Sequence, residues 1–297
     1  MLFKKISVLS CLLFVCVLHA HSDYKQLPED DYLYQGNINL GFDQYKTTSL
    51  NGEKKVVLTF DDGPHPTRTP RTLDLLKRYG VKATFFVLTD KINDSNKKIL
   101  KRIVDEGHIL STHGSNHKNA NNMNESEFYY NLKSSVVTLA DILKEFGSDQ
   151  KGLYYRFPYG AYGKTQGYHH FNVIKEISQE VYGENCIHFS FWDIDSVDWA
   201  PELDAEEIAE SMMAHLVGGT AYTVEIKRTI FGNTRYKVKD YRIRTPRGGG
   251  VILLHDIHER SIRATEAFLQ KALQSGVEVV PLSEVQEYGM GGRDCSL

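Results

Sequence analysis

Two tryptophans, eight prolines and four cysteines are all that 297 residues contain of these types. The cysteines stand at 11, 16, 186 and 295, so no pair has the close spacing of a cysteine-built zinc or redox site. Two of them, Cys11 and Cys16, fall in an N-terminal apolar segment. Cys186 and Cys295 remain, and either a disulfide or two separate thiols is open. Excess positive charge is also lacking. The formal net charge is -3, which removes the electrostatic footprint of a nucleic-acid binder from the chain as a whole. Past the N-terminus no apolar run approaches the roughly 20 residues that span a bilayer. No Gly-x-Gly-x-x-Gly follows the first predicted strand, which argues against a dinucleotide-binding fold. What is present is ordinary for a globular chain: 41% hydrophobic and 25% charged residues, enough for a substantial core.

The N-terminus reads as a targeting segment. Lys4 and Lys5 precede an apolar run over 6–18, and Ala20-His21-Ser22 offers a cleavage site. The expectation is a secretory signal over 1–22, an exported (secreted or periplasmic) product, and no stable membrane insertion after cleavage. Residues 23–53 are polar with scattered tyrosines and read as a surface extension. A globular domain is expected over 54–288 and a tail over 289–297.

Within that domain apolar, β-branched stretches alternate with helical periodicity. Strands are expected near 56–60, 83–88, 108–112, 153–157, 188–194, 251–254 and 278–280. Helices are expected near 72–79, 99–106, 125–146, 173–182, 205–217 and 262–273, with Asn124 as a candidate N-cap. Five of these helices are followed by glycine, a common C-terminal signal. Seven strands alternating with helices imply parallel βα units. The predicted fold is therefore α/β: a distorted (β/α) barrel of about seven parallel strands, with an open doubly wound sheet as the runner-up.

Residues 220–247 break the rhythm. Two alternating runs flank Gly232-Asn233, which is a hairpin signature. Lys227, Arg228, Arg235, Lys237, Lys239, Arg242, Arg244 and Arg247 are opposed only by Glu225 and Asp240. Two readings are open: a solvated hairpin whose charges guard its edges, or a basic flap over a site, meeting an anionic polymer.

Chemistry gathers at the predicted strand ends. The first strand runs into Thr59-Phe60-Asp61-Asp62-Gly63-Pro64, a buried run ending on two carboxylates and a breaker. Successive residues on a strand point to opposite sides, so Asp61 and Asp62 are expected to do different jobs. The third strand ends at His113-Gly114-Ser115-Asn116-His117. Two histidines four apart on one face of a helical turn could share a cation. The fourth ends at Arg156-Phe157-Pro158-Tyr159-Gly160, the fifth leads to Asp195-Ser196-Val197-Asp198-Trp199, and the sixth ends at Leu253-Leu254-His255-Asp256. Catalytic groups in parallel barrels collect at the C-terminal strand ends, where all of these stand.

These five stretches, in this order, resemble the motifs of the polysaccharide deacetylases, carbohydrate esterase family four, relatives of the nodulation chito-oligosaccharide deacetylases. The resemblance covers roughly residues 54 to 285. It implies a divalent metal, usually zinc, held by Asp62, His113 and His117. It implies Asp61 as general base, His255 as general acid, Arg156 and Asp198 as their respective partners, the Tyr159 backbone N–H as oxyanion donor, and Trp199 with Leu253 as the slot for the acetyl methyl. The implied reaction is removal of N-acetyl groups from N-acetylglucosamine in a polysaccharide, with peptidoglycan expected. Chitin oligomers, acetylated xylan and a silent glycan-binding barrel are the alternatives. No nucleic-acid partner is expected, and the sequence says nothing of oligomeric state. The 220–247 hairpin is longer than the usual link at that point, and Gly114-Ser115-Asn116 is not the commonest filling between the histidines.

Overall fold

A computed structural model describes residues 43–163, 169–228 and 234–297. The expected signal segment, most of the polar extension and the Gly232-Asn233 turn lie outside these residues. Among the described residues no helix is long and apolar enough to cross a membrane.

Eight parallel strands make the main sheet. In chain order they are β1 (Lys55–Asp61), β2 (Ala83–Val87), β3 (Ile109–Thr112), β4 (Leu153–Tyr155), β5 (Ile187–Phe189), β6 (Ile194–Asp195), β9 (Gly250–His255) and β10 (Glu278–Val279). Between β6 and β9 stands a separate antiparallel pair, β7 (Gly219–Arg228) and β8 (Thr234–Ile243). Helices α1 (Arg68–Tyr79), α2 (Lys97–Asp105), α3 (Glu125–Glu145), α4 (His169–Tyr182), α5 (Ala205–Val217) and α6 (Glu259–Gln274) complete the crossovers. The long α3 starts at a capping box, Asn124 with Glu127.

The strand order is β5-β4-β3-β2-β1-β9-β6, with β10 beside the start of β1. Chain connectivity forces this sheet to curl. Laid flat, strands about 4.8 Å apart would separate β5 from β6 by roughly 29 Å. The chain from Phe189 to Ile194 can span at most about 18 Å. The edges therefore approach each other, and the sheet is a distorted barrel with an open seam crossed by residues 190–193. The single strand expected over 188–194 is divided here, its two parts lying at opposite edges. The seam is held by other means: the Asp193 N–H donates to the Val251 carbonyl, and the carbonyls of Ser190 and Phe191 accept from the Arg156 guanidinium.

Alternation along the strands sorts inside from outside. Val56, Leu58 and Phe60 join the large cluster between sheet and helices, while Val57 joins the interior with Phe86, Ile109, Tyr154 and Val251. That interior is plugged at its lower end by Leu50, Leu282, Val285 and Tyr288. The lead-in expected at the surface is partly inserted where it is described: Tyr45, Thr47 and Leu50 are buried, while Asp43, Thr48, Asn51, Gly52 and Glu53 are exposed. Tyr45 is buried and stacks on Phe191 behind the seam, and Asp193 accepts from the Thr47 N–H and hydroxyl. The reason is physical: an incomplete barrel leaves an aromatic gap and a buried carboxylate that need partners. The C-terminal tail is anchored too. Cys295 is buried and disulfide-bonded to Cys186, with Cα atoms 5.5 Å apart.

Candidate active site

Continuing the inward register upward leads from Val57 through Thr59 to Asp61, from Ile109 through Ser111 to His113, from Tyr154 to Arg156, and from Val251 through Leu253 to His255. Period-two alternation alone aims these groups at one barrel mouth. Asp61 and His255 are register partners on adjacent strands.

Arg156 occupies the centre, fully buried. Its Nη1 donates to Asp61 Oδ1 at 2.9 Å and to Thr59 Oγ1 at 2.6 Å, while Nε donates to the Ser190 carbonyl at 3.0 Å. The guanidinium also lies over the Phe86 ring at 4.2 Å. Burial raises the Asp61 pKa, and the charges of Arg156 and His255 act against that rise. Asp61 Oδ2 stays directed toward His113 Nε2, 3.7 Å away.

Asp62 reaches the same mouth by leaving the strand. Its φ of 73° is left-handed, and Lys91 Nζ donates to its carbonyl at 2.8 Å. Asp62 Oδ1 then lies 3.6 Å from His113 Nε2 and 3.3 Å from His117 Nε2. The three candidate ligand atoms lie within 4.8 Å of one another. The helical turn expected to pair the histidines is absent. After His113 the chain turns through Gly114 at φ 82° and returns at His117 with φ 55°. Asn131 of α3 clamps this loop, donating through Nδ2 to Ser115 Oγ and Asn116 Oδ1 at 2.6 and 3.0 Å.

Three features fit a divalent cation. Asp62 Oδ1 is buried with no hydrogen-bond partner, a cost that an ion would remove. His113 Nδ1 donates to the Arg156 carbonyl at 2.8 Å, which leaves Nε2 as the lone-pair face. Burial pulls the His113 pKa down to about 3, keeping it in the neutral form that ligates. Imidazole with carboxylate is a donor set suited to zinc and related ions.

Across the mouth, His255 Nδ1 meets Asp198 Oδ1 at 2.7 Å, and the His255 N–H donates to Asp198 Oδ2 at 2.7 Å. Burial alone would lower the histidine pKa. The buried Asp198 carboxylate more than offsets it and holds His255 up at about 10. Arg260 fixes this segment, donating to the carbonyls of Asp198 and Trp199.

The mouth is a cavity of about 460 Å³. Asp61, Asp62, His113, His117, Tyr159, Trp199, Leu253 and His255 all line it. Tyr159 sits at φ 61°, its ring edge-on to His117 at 4.5 Å. Arg156 and Asp198 lie behind the wall, each touching the residue it was expected to partner. Sequence reading missed Trp192, His258 and Ile226 as lining groups. Trp192 stands in the aromatic seam, within the stretch expected as a single strand over 188–194. Ile226 comes from β7, and nothing local in the sequence says which way a hairpin leans. Asp195, noted only as part of a motif, also lines the cavity, holding the Val197 N–H and the Trp199 side chain.

One barrel mouth thus joins a His-His-Asp triad to a buried carboxylate and a carboxylate-paired histidine. Residues 49–170 match the profile of the polysaccharide deacetylases. The chain is 28% identical over 232 residues to the peptidoglycan-N-acetylglucosamine deacetylase PgdA of Listeria monocytogenes, a match covering 78% of this chain and 39% of that one. The chain thus spans about two fifths of that relative's length. A peptidoglycan-N-acetylglucosamine deacetylase of Bacillus cereus is 27% identical over 241 residues, 80% of this chain and 91% of the relative. Among solved structures, a family 4 acetyl xylan esterase from Clostridium thermocellum, determined with a cobalt ion, superposes with a TM-score of 0.55 at 26% identity, covering 78% of this chain and 89% of that one.

Proposed function

We propose that this chain is an exported, metal-dependent hydrolase that removes N-acetyl groups from N-acetylglucosamine units of a cell-wall polysaccharide, peptidoglycan foremost. One observation carries the reading: a candidate metal triad, a buried carboxylate and a carboxylate-paired histidine face a single cavity. The two peptidoglycan deacetylase relatives support the substrate class. The Cys186–Cys295 bridge supports an oxidising compartment.

Asp62, His113 and His117 would hold the ion, zinc by donor type. Bound there, a divalent ion would supply Lewis-acid polarisation of the acetyl carbonyl and a more acidic water at neutral pH. Asp61, with Oδ1 occupied by Arg156, presents Oδ2 to take the proton of the attacking water. Arg156 orients this carboxylate and limits its rise in pKa. His255, with Nδ1 engaged by Asp198, is charged at neutral pH and presents Nε2. From there it gives a proton to the sugar nitrogen as the C–N bond breaks, so acetate and a free amine leave. The Tyr159 N–H would donate to the oxyanion. Trp199 and Leu253 would enclose the methyl group.

The test is acetate release by the leaderless chain from peptidoglycan, chitin oligomers and acetylxylan, each with and without chelator. Release from peptidoglycan, abolished by chelation and restored by zinc, is the expected result. Release from acetylxylan alone would replace the amide reading with an ester one. A loaded protein that releases nothing from any of the three would overturn the hydrolase reading.

A further inference from the structure

Ile226 is an aliphatic side chain, 54% exposed, in the wall of a cavity that also carries Trp192, Trp199 and Leu253. It is not alone. Of the large apolar side chains exposed among the described residues, Tyr159 and Ile226 both stand in this wall. Scattered exposed apolar groups need no explanation, but a cluster beside a candidate active site does.

Ile226 comes from the β7–β8 arm, and the register of that arm explains its direction. Cross-strand pairs share a face. Val224 pairs with Val238, and Ile226 with Tyr236. The valines pack on the main core, and the Tyr236 ring meets Trp199 at 6.3 Å. The other face carries Glu225, Lys227, Lys237 and Lys239, with Lys239 bonded to Glu225 at 2.9 Å. The base of the arm is anchored on α5, where Ser211 Oγ accepts from the Tyr222 N–H. The basic flap weighed from the sequence therefore presents an apolar ridge, not its lysines, to the mouth.

That ridge continues the cavity wall outward, beyond any acetyl group bound within. Only a ligand larger than the reacting group could cover it. Sugar rings combine polar rims with apolar C–H faces, which suit an aliphatic and aromatic ridge beside carboxylates and imidazoles. We propose that the β7–β8 arm is one wall of the substrate groove: Ile226, with Tyr236 bracing Trp199 behind it, receives the sugar unit next to the one being deacetylated and so makes the site selective for N-acetylhexosamine chains over the free sugar. The inference rests on the deacetylase reading for its substrate class.

Trp192 and Trp199 are the two tryptophans of the chain, and both line the cavity, so intrinsic fluorescence reports on this site. The leaderless chain is titrated with β-1,4-linked N-acetylglucosamine oligomers of one to six units, and acetate release from the same series is followed in parallel. In the wild type, affinity and kcat/KM rise with length. Ile226→Ser and Tyr236→Ala each cut the preference for hexamer over monomer by about tenfold, the loss of one apolar anchor. Tyr236→Phe keeps the preference because the ring, not the hydroxyl, is what braces Trp199. Lys237→Ala, on the opposite face, also keeps it. The proposal is overturned if the wild type shows no length preference, if Ile226→Ser retains it, or if Lys237→Ala loses as much. Length-dependent binding without acetate release would sink the deacetylase reading and leave the arm as a glycan wall. Acetate release without length dependence would sink the arm alone, and no binding at any length would sink both.

Discussion

His255 shows how one buried contact sets a reactive group. Burial pulls its pKa down and Asp198 pushes it up, and the carboxylate wins, leaving the ring protonated to about pH 10. Asp198 itself is held below its ordinary value, because the histidine charge and its hydrogen bonds outweigh burial. A histidine whose folded pKa is raised contributes stability that is fully present below about 6.5 and lost as pH rises through about 10. The same sign governs catalysis if His255 is the acid, since activity falls as pH rises through its pKa. Asp198→Asn keeps the shape and removes the charge. The basic limb of kcat/KM is then expected to move down by at least one pH unit, toward or below the ordinary histidine value of about 6.5. A pH series on wild type and variant checks this, and an unmoved limb would assign it to another group. Asp61, His113 and His255 were legible because each continues a period-two interior register at a strand end. Asp62 was legible as a residue but not in its path, since its left-handed backbone turns it to the side that strand alternation denies it.

Elements supply what single residues cannot. The His113–His117 loop is irregular, and its shape comes from α3 through Asn131, which bonds to Ser115 and Asn116. No pattern within 113–117 encodes that clamp, which is why a helical turn was the natural expectation. Asn131 touches neither histidine, yet it fixes the loop between them. Asn131→Ala is expected to weaken zinc affinity roughly 10- to 100-fold, the usual cost of losing outer support for a metal site. Competition against a chromogenic chelator measures it, and an unchanged affinity would show that the backbone turn suffices. The divided strand at 187–195 teaches the same lesson. Its alternation of aromatic and polar residues looks continuous, but the carbonyls of Ser190 and Phe191 go to the guanidinium of Arg156 instead of a neighbouring strand. Arg156 therefore has two tasks, aligning Asp61 and sealing the seam. The lean of β7–β8 is likewise decided by its packing on α5 and Trp199, contacts no local pattern announces.

At the scale of the molecule, the two ends of the barrel are built differently. The mouth gathers the charged groups and carries the left-handed backbone at Asp62, His117 and Tyr159. The lower end is apolar and tied to the chain termini. There Glu287 accepts from the backbone of Thr48 and Ser49, and the Gly152 N–H donates to the Cys295 carbonyl. The Cys186–Cys295 bridge closes over a separation of 109 residues. Cross-linking a loop of about 100 residues restricts the unfolded chain by up to roughly 4.7 kcal/mol, with 2–5 kcal/mol typical for a native bridge. At about 2–4 °C per kcal/mol for a domain of this size, removal is expected to lower Tm by roughly 4–20 °C. The bridge joins the start of β5 to the tail, at the opposite end of the strands from Asp61 and His255. Stability and chemistry should therefore separate. The Cys186→Ser/Cys295→Ser double variant should unfold at a lower temperature, yet retain wild-type kcat well below that transition. Thermal melts of wild type with and without reductant, set beside acetate release at 20 °C, measure both. A lower kcat in the double variant at that temperature would mean that the lower plug and the mouth are mechanically coupled through β4 and β5.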